Sequence, residues 1–372
     1  MITRVDLAVV GGGPIGLGVA IHAAQRGLSA AVFDLRPLPR DKTCGEGIMP
    51  LGVAELGRLG IRLPPDAGAP FRGIRYVDGE VRAQGRFPAG EGLGLRRMTL
   101  VALLAERARA LGAELRDGCR VRGWALTRSG IRVDSDGGSL EARLLVGADG
   151  LRSRVRRVAS LESAPGGGRF GMRRHFRVSH APDFVEVHWA DGIEAYVTPV
   201  ASDEIGVALL HRGKGGNFAQ LARRIPSLGA LLAGAEPSSS VRGAGPFHQR
   251  ARRRFADRIA LVGDAAGYLD PLTGEGISLG LRSAGALVDV VASGEPLARY
   301  DRAWRRLSAR YFQMTRLVLL LAATPALRRR VVRVLARHPE LFDRLLAIAE
   351  GGAPLQSIGM SGVLRLLGGL VA

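Results

Sequence analysis

Three glycines near the start of the chain have the spacing of a phosphate-binding turn. Gly11, Gly13 and Gly16 form the pattern G-x-G-x-x-G directly after a short apolar run. In such a turn the first glycine permits a tight bend, the second lets the backbone approach a pyrophosphate, and the third lets helix and strand pack closely. Unpaired N–H groups at the start of the following helix attract the phosphates. Together with the intervening Pro14 and Ile15, these residues predict a dinucleotide site.

An acidic residue follows at the distance expected for a ribose ligand. A second apolar run ends at Asp34, 18 residues after Gly16. A carboxylate at the end of the second strand of a dinucleotide-binding fold hydrogen-bonds ribose hydroxyls. A chance glycine turn is the alternative, but the order of strand, glycines, helix, strand and acid favours the dinucleotide site.

Further residues capable of chemistry are concentrated in three short segments. The first, residues 41–47, reads D-K-T-C-G-E-G, and its proline- and glycine-rich surroundings predict a structured loop. The second, residues 147–156, reads G-A-D-G-L-R-S-R-V-R and follows a buried apolar run. The third, residues 263–277, reads G-D-A-A-G-Y-L-D-P-L-T-G-E-G-I and follows another such run.

Three side chains in these segments are candidates for redox or proton transfer. Cys44 offers a thiol, and Glu46 and Glu275 offer carboxyl groups. Each has a structural alternative, because small buried cysteines usually pack as apolar groups and glutamates form ion pairs. No residue is assigned as catalytic from the sequence. Cys119 and the histidines are expected to be structural, and no metal-ligand spacing is present.

The elements that would position these groups alternate between two kinds of strand. Continuous apolar runs precede the glycine motifs, as in buried parallel strands, and shorter alternating segments between them are typical of antiparallel sheet. The sequence therefore predicts an α/β fold in which a Rossmann-like dinucleotide-binding domain is interleaved with a mostly antiparallel β-sheet substrate domain. The predicted ranges are 1–70, 96–157 and 255–298 for the first domain, 71–95 and 158–254 for the second, and 299–372 for a helical C-terminal region.

The composition limits the classes of partner. The net charge is +19, and the basic residues are nearly all arginine, with Lys42 and Lys214 the only lysines. Such a charge suits nucleic acid, an acidic ligand or an anionic membrane, or reflects a genome rich in arginine codons. Nucleic acid is not expected, because no zinc spacing and no basic stripe with interleaved aromatics is present. Two cysteines and a strand that starts almost at the first residue favour a cytoplasmic protein.

The C-terminal region has its own charge pattern. Residues 299–372 contain 13 arginines and four acidic residues, a net charge of 13 − 4 = +9. Basic amphipathic helices can lie on anionic lipid, or they can simply cover the core and a substrate tunnel. The longest apolar run, residues 317–323, is too short to span a bilayer. Peripheral membrane contact is therefore one of two expectations for this region.

Taken together, the three motifs resemble those of FAD-dependent oxidoreductases of the p-hydroxybenzoate hydroxylase fold. The resemblance covers residues 1–300, and residues 41–47 and 274–277 are similar to the geranylgeranyl reductase and flavin-halogenase branch. It implies FAD as the cofactor and a hydrophobic small molecule as the substrate. No second dinucleotide fingerprint is present, so NAD(P)H would bind transiently as electron donor, or a separate reductase would supply the electrons.

The resemblance also implies a role for each motif. The glycine turn and Arg97, or Arg96 in the other register, would hold the pyrophosphate. Residues 34–36 and the backbone of Val121 would surround the adenosine, and the 41–47 loop would pass under the flavin. Residues 149 and 150 belong to the motif that would serve both FAD and the incoming NAD(P)H. Asp264 would accept a hydrogen bond from a ribitol hydroxyl, and residues 271–277 would flank the isoalloxazine. The implied FAD contacts are Gly11, Gly13, Pro14, Ile15, Gly16, Asp34, Leu35, Arg36, Cys44, Gly45, Arg97, Val121, Asp149, Gly150, Asp264, Pro271, Gly274, Glu275, Gly276 and Ile277.

Three functions remain open. The first expectation is an NAD(P)H-dependent flavoprotein monooxygenase. The second is a geranylgeranyl reductase-like enzyme that reduces or oxidises carbon–carbon bonds of a polyprenyl or polyketide substrate. Halogenation is disfavoured because residues 194–199 read E-A-Y-V-T-P and lack the family's W-x-W-x-I-P. Simple phenol hydroxylation is disfavoured because Glu275 and Ser278 stand where aromatic hydroxylases more often have glutamine and asparagine. A non-catalytic lipid-binding escort protein, as in the Rab GDP-dissociation inhibitors, is the alternative of another class, and the intact flavin motifs argue against it.

Overall fold

The computed structural model describes residues 3–164, 166–213, 216–350, 352–360, 362, 364 and 365. Lys214 and the last seven residues of the predicted C-terminal region therefore lie outside the described residues. The strands are β1 (Thr3–Val10), β2 (Ala30–Asp34), β3 (Gly47–Ile48), β4 (Ala69–Phe71), β5 (Gly73–Asp78), β6 (Val81–Arg86), β7 (Gly92–Gly94), β8 (Glu114–Asp117), β9 (Val121–Leu126), β10 (Ile131–Ser135), β11 (Gly138–Gly147), β12 (Arg169–Arg177), β13 (Val185–Ala190), β14 (Ile193–Ala201), β15 (Glu204–Arg212), β16 (Glu236–Pro237), β17 (Arg242–Ala244), β18 (Gln249–Arg250), β19 (Phe255–Ala256), β20 (Ile259–Leu261) and β21 (Gly267–Tyr268).

Helices connect and cover these strands. The α-helices are α1 (Pro14–Ala24), α2 (Pro50–Arg58), α3 (Arg97–Ala110), α4 (Arg154–Val158), α5 (Phe218–Ala222), α6 (Pro226–Leu231), α7 (Gly276–Ala292), α8 (Leu297–Ala323), α9 (Pro325–Arg337) and α10 (Pro339–Ala349). Short 3-10 helices cover Gly263–Ala265, Pro271–Thr273 and Leu355–Ile358.

The first sheet is the predicted Rossmann-like layer. Its strand order is β19-β20-β11-β1-β2-β8, and β1 pairs in parallel with both β11 and β2. Since β1 has a neighbour on each edge and helices on its faces, its apolar run is buried, with Leu7, Ala8 and Val9 fully inaccessible. Helices α1, α3 and α7 pack against the strands in this core. The predicted α/β fold with a Rossmann-like domain is confirmed.

The second sheet is mostly antiparallel, as the sequence predicts. Its order is β16-β12-β15-β14-β13-β5-β6, and only the β13–β5 pair is parallel. Alternate residues of β14 face opposite sides: Ile193 and Val197 pack in the core under α5 and α6, while Tyr196 and Thr198 face the other side. That other side is the floor of the cavity described below.

The C-terminal helices cover the second sheet. Residues of α9 and α10 pack against β5 and β6 in one apolar cluster, which includes Leu335 and Phe342. The predicted helical C-terminal region is confirmed, and it begins at Leu297, two residues before the predicted boundary. In the described part of the chain, no helix is both long and apolar enough to cross a bilayer.

Candidate active site

The glycine turn closes tightly between β1 and α1. The Gly11 amide donates to the Phe33 carbonyl at 2.7 Å, and the Gly12 amide donates to Asp34 Oδ2 at 2.8 Å. Gly11 has a φ of +113°, which L side chains rarely adopt, and a Cβ on Gly16 would lie 1.8 Å from the Gly11 oxygen. Side chains at these two positions would therefore fill the turn.

Helix α1 begins without a capping side chain. Gly13 stands at the N-cap position, no side chain caps the helix, and its first turn contains no acidic residue. The first amides of a helix have no intrahelical partner, so this end can bind an anion. Pro14 and Ile15 of this first turn line a cavity.

Three basic side chains meet around this end of the cavity. Arg97 Nη2 lies 3.7 Å from the position that a Cβ on Gly13 would take, and Lys42 Nζ lies 2.7 Å from that of Gly150. Arg40 lines the same wall. Burial lowers the pKa of Lys42, and the Asp264 carboxylate opposes that shift. Glycine backbone, an uncapped helix end and these cations fit a group that carries two phosphates, as FAD does.

The two neighbouring arginines of the predicted alternative point to different places. The Arg96 guanidinium forms an ion pair with Glu204, with Nη1 2.8 Å from both carboxylate oxygens. Arg97 instead lines the cavity, and its backbone amide donates to Glu46 Oε1 at 2.8 Å. The structure therefore places Arg97, and not Arg96, at the glycine turn.

The 41–47 loop is fastened to the second sheet by buried ion pairs. Glu46 is 2% exposed, and its Oε2 bonds to Nε2 of the fully buried His175. The buried Arg173 guanidinium pairs with Asp41 at the other end of the loop. Cys44 is half-buried beside Gly45 in the cavity wall. Glu46 thus fixes the loop, which the spacing of the sequence did not reveal.

Asp149 and Gly150 lie in the cavity wall at the end of β11. The Asp149 carboxylate accepts from the backbone amides of Arg154 and Val155 at 2.7 and 3.1 Å, and from the Ser153 hydroxyl. It therefore satisfies backbone amides in the first turn of α4. The same carboxylate still borders the cavity.

The last motif contributes a wall of the cavity at the start of α7. Asp264, Pro271, Gly274, Gly276 and Ile277 all line it.

The Glu275 side chain departs from the sequence expectation. It does not line the cavity, and its Oε2 is buried without a hydrogen-bond partner in the described part of the chain. Burial raises its pKa to about 7. Glu350, after α10, also has a pKa raised to about 7 by burial, with the Glu275 charge adding to the shift. The structure therefore brings Glu275 to the C-terminal helices.

The residues expected around the adenosine lie outside the cavity lining. The buried Asp34 accepts from the amides of Gly12 and Arg36, and Leu35 is 53% exposed. The Val121 carbonyl accepts from Arg154 Nη1 at 2.6 Å. Arg40 Nη2 lies 3.1 Å from Asp34 Oδ2, so the Asp34 carboxylate is already paired at this end of the cavity.

From the glycine turn the cavity continues into an apolar chamber. The whole cavity, glycine-turn end and chamber together, has a volume of roughly 320 Å³, within the range of small-molecule sites. The second sheet forms the floor of the chamber, and α8, α9 and α10 form its roof. The apolar lining of this chamber is Ile74, Val185, Val187, Leu210, Leu272, Met314, Leu317, Val318, Leu321, Val331, Leu335, Phe342, Leu345 and Leu346.

Polar side chains that the sequence did not single out lie in the floor of this chamber. Tyr76 and Tyr196 line the cavity, and the buried Arg169, Glu194 and Asp270 form ion pairs next to Tyr196. The charged residue inside the apolar strand β14 was the available signal for Glu194. Lys42 had a signal as well, because it is one of two lysines among 53 basic residues.

A family model described as FAD binding domain matches residues 4–295. Among curated proteins, the chain is 31% identical over 356 residues to a menaquinone reductase of Mycolicibacterium smegmatis, covering 87% of this chain and 86% of the relative. It is 28% identical to a digeranylgeranylglycerophospholipid reductase of Methanothrix thermoacetophila, covering 81% and 83%. It is 26% identical to a rifampicin monooxygenase of Streptomyces venezuelae, covering 75% and 62%.

Solved structures share the fold. A triple mutant of the flavin-dependent brominase Bmp2 superposes with a TM-score of 0.78 at 17% identity, covering 94% of this chain and 98% of that one. At this identity the match speaks for the fold alone. Together, the sequence and structure matches confirm the resemblance inferred from the three motifs.

Proposed function

The chain belongs to the FAD binding domain family and is an FAD-dependent oxidoreductase of the group that contains reductases and monooxygenases. We propose that it reduces a carbon–carbon double bond in a long hydrophobic substrate. One continuous cavity runs from the cationic glycine turn into the apolar chamber, and it supports a long hydrophobic substrate. An apolar chain in that chamber would reach the end of the cavity where the cofactor binds. The similarity to two reductases favours reduction over monooxygenation.

For the cofactor we propose the contacts implied by the motifs. Gly11, Gly13 and Gly16 would admit the pyrophosphate with Arg97 beside it, and Asp34 would bind the adenosine ribose. When bound, FAD supplies the transfer of a hydride or of electrons. NAD(P)H is the proposed donor. The predicted ranges 1–70, 96–157 and 255–298 are proposed as the cofactor domain, with 71–95 and 158–254 forming the substrate domain.

On the cofactor side of the chamber, the residues of the chain would orient the flavin and the substrate and keep water out. Pro271, Gly274, Gly276 and Ile277 would form the wall beside the flavin ring, and Asp264 would accept from the ribitol. The roof helices would close the chamber over the substrate. A closed apolar site strengthens the electrostatic interactions inside it and keeps competing water out.

Monooxygenation is the second candidate. It is favoured by the similarity to a rifampicin monooxygenase and by the absence of a second nucleotide fingerprint in the sequence, which suits transient NAD(P)H. The same cradle and chamber would serve it. The two reactions differ in what the substrate gains, because a reductase adds two hydrogens and a monooxygenase adds one oxygen atom.

Product analysis separates the two candidates. The purified holoenzyme is incubated with NADPH and a prenylated naphthoquinone, once in air and once without oxygen, and the products are analysed by mass spectrometry. Gain of two hydrogens without oxygen supports the reductase when fragmentation places them in the prenyl chain and they persist after the quinone ring is reoxidised in air. A product that gains oxygen, and forms only in air, would replace it with the monooxygenase.

We also propose that the chamber opens toward an anionic membrane surface in the cytoplasm. Leu317 lines the cavity and is 49% exposed, and Leu320 on the same helix is 56% exposed. Arg316, which precedes Leu317 in the chain, and Arg329 on α9 are exposed as well. Apolar side chains bordered by arginines suit the headgroup region of an anionic bilayer.

Vesicle sedimentation tests this surface. The holoenzyme should sediment with phosphatidylglycerol vesicles and much less with phosphatidylcholine vesicles, and L317S/L320S should lower the bound fraction at least about fivefold. L126S is the matched control, because Leu126 is 57% exposed on β9. Equal loss in both variants, or no binding by the unmodified protein, would contradict the proposal.

A further inference from the structure

The floor of the apolar chamber contains a chain of polar contacts beside the Pro271 loop. The Tyr196 hydroxyl donates to Glu194 Oε2 at 3.1 Å, and Arg169 Nη2 donates to Glu194 Oε1 at 2.8 Å. Arg169 Nε lies 3.2 Å from Asp270 Oδ2, without the angle of a hydrogen bond. Asp270 directly precedes Pro271, so these contacts lie next to the part of the cavity assigned to the cofactor.

Carboxyl groups outnumber the guanidinium groups in direct contact with them in this floor. Two carboxylates, Glu194 and Asp270, share one guanidinium, that of Arg169, and all three residues are buried. The next guanidinium, Arg328, is committed to Asp78 at 2.9 Å. Burial raises the pKa of Glu194, and it raises the pKa of Asp270 to about 7. A further anion at this place would find its potential cation already paired, and unpaired buried charge is costly.

Two tyrosine hydroxyls offer a neutral alternative. Tyr76 and Tyr196 both line the cavity. The Tyr76 hydroxyl has no hydrogen-bond partner among the described residues, and the Tyr196 oxygen keeps a lone pair after it donates to Glu194. Burial raises the pKa of both, that of Tyr76 to about 12, so both stay neutral.

We infer that Tyr76 and Tyr196, with Glu194 holding the Tyr196 hydroxyl from behind, form a subsite for one neutral oxygen function of the substrate, a carbonyl or a hydroxyl, and that the subsite rejects carboxylate and phosphate head groups. This inference rests on the proposed function, which takes the chamber as the substrate site. The substrate class is then a neutral oxygenated lipid with an apolar tail. Tyr76 donates to its oxygen, and anions are excluded because Glu194 and Asp270 already occupy the Arg169 guanidinium.

A pair of ligands with the same tail tests the subsite. The holoenzyme is titrated with all-trans-farnesol and with all-trans-farnesoic acid at pH 8, where the acid is ionised. Binding is followed by the change in flavin absorption and by tryptophan fluorescence, since Trp189 lies in the floor with its ring 5.8 Å from that of Tyr76. Farnesol should bind at least about tenfold more tightly than farnesoate.

Three variants assign the preference to its residues. Tyr76→Phe should weaken farnesol about fivefold and leave farnesoate unchanged, because only the neutral ligand uses the hydroxyl. Glu194→Gln should tighten farnesoate, because Arg169 then has one carboxylate fewer. Tyr300→Phe is the matched control: its hydroxyl donates to the Leu261 carbonyl at 2.7 Å in the other domain, so both affinities should stay the same.

The outcomes separate this inference from the proposed function. Farnesoate binding as tightly as farnesol, or Tyr76→Phe and Glu194→Gln behaving like Tyr300→Phe, would overturn the subsite while leaving a hydrophobic substrate site in place. Binding of neither ligand by the holoenzyme would overturn both, because the chamber would then not take an apolar tail.

Discussion

The glycine turn and the chamber, the two ends of one cavity, are built in different ways. At the turn, backbone amides and missing side chains make the site, and a Cβ on Gly16 would lie 1.8 Å from a carbonyl oxygen. In the chamber, side chains from one sheet and three helices make the site. The side chains of its apolar lining have in common only that they are apolar and fill space. Backbone sites tolerate almost no substitution, while side-chain sites can be remodelled. The first end is therefore suited to a fixed cofactor and the second to a substrate that differs between relatives.

The largest expected effect is at the turn. Gly16→Ala places a methyl group against the Gly11 carbonyl, so we expect purified protein without bound FAD and a free energy of unfolding lower by at least about 3 kcal/mol. FAD content by absorbance and urea unfolding measure the two effects. Gly57→Ala is the matched control, because Gly57 lies in α2 with nothing within 4 Å of its Cβ position. A Gly16→Ala protein that retains FAD would break the contrast.

A substitution in the chamber should separate stability from cofactor binding. The buried Phe342 ring of α10 packs 4.8 Å from the Tyr76 ring, so Phe342→Ala should lower the free energy of unfolding by about 3 kcal/mol. FAD affinity should stay within about twofold, because the ring is remote from the glycine turn. Phe170→Ala, at a ring that is 36% exposed, should cost less than half as much. Loss of FAD with Phe342→Ala would show that the two ends are not independent.

The two neighbouring arginines sharpen the boundary between the ends. Arg97→Ala should weaken FAD binding by about ten- to a hundredfold, because a charge-assisted contact to phosphate is lost. Arg96→Ala should leave FAD affinity nearly unchanged and lower stability, because the buried Glu204 carboxylate loses its ion-pair partner. Titration of the apoprotein with FAD at two salt concentrations measures the affinities, and urea unfolding measures the stability. Equal losses of affinity in the two variants would contradict the placement of Arg97.

The smallest expected effect concerns the carboxyl groups of Glu275 and Glu350, where the start of α7 meets the C-terminal helices. The pKa values of Glu275 and Glu350 rise from near 4.5 to about 7, so the folded protein binds more protons than the unfolded chain between these values. Each shift alone would lower the free energy of unfolding by about 2–3 kcal/mol. Both residues are only partly buried, so solvent screening reduces this, and we expect a fall of about 1–2 kcal/mol as the pH rises from 4.5 through 7, levelling off above about pH 8.

Matched variants assign this pH dependence. Glu275→Gln and Glu350→Gln should each flatten the fall, while Glu106→Gln, on the exposed side of α3, should not. Urea unfolding at intervals of pH measures the slope. A slope that persists in both variants would place the titrating groups elsewhere.

The same contrast explains how much the sequence can predict. The glycine turn is predictable because Gly11, Gly13, Gly16 and Asp34 lie within 24 residues and their spacing is fixed by backbone sterics. The fold class follows from the two kinds of strand. Even there, the motif predicts Glu275 beside the cofactor, and the structure turns its side chain toward the C-terminal helices.

The chamber floor could not be predicted in the same way. Tyr76, Glu194 and Asp270 come from three distant parts of the chain, and only the folded second sheet and the loop beside it bring them together. Their residue types are ordinary for a strand or loop when read singly. In the sequence, the departure of residues 194–199 from the halogenase motif is evidence against halogenation only. The role that we propose for Glu194 follows from the structure, which places Arg169 between Glu194 and Asp270.

The visible spectrum of the purified protein, followed by FAD titration and anaerobic addition of NADPH, tests the central claim most directly. The structure predicts one FAD per chain with the usual flavin bands, which bleach when NADPH is added. Bands that stay oxidised would keep the flavoprotein and require a separate electron donor. A colourless protein that takes up no FAD would contradict the account and would support a lipid-binding escort in its place.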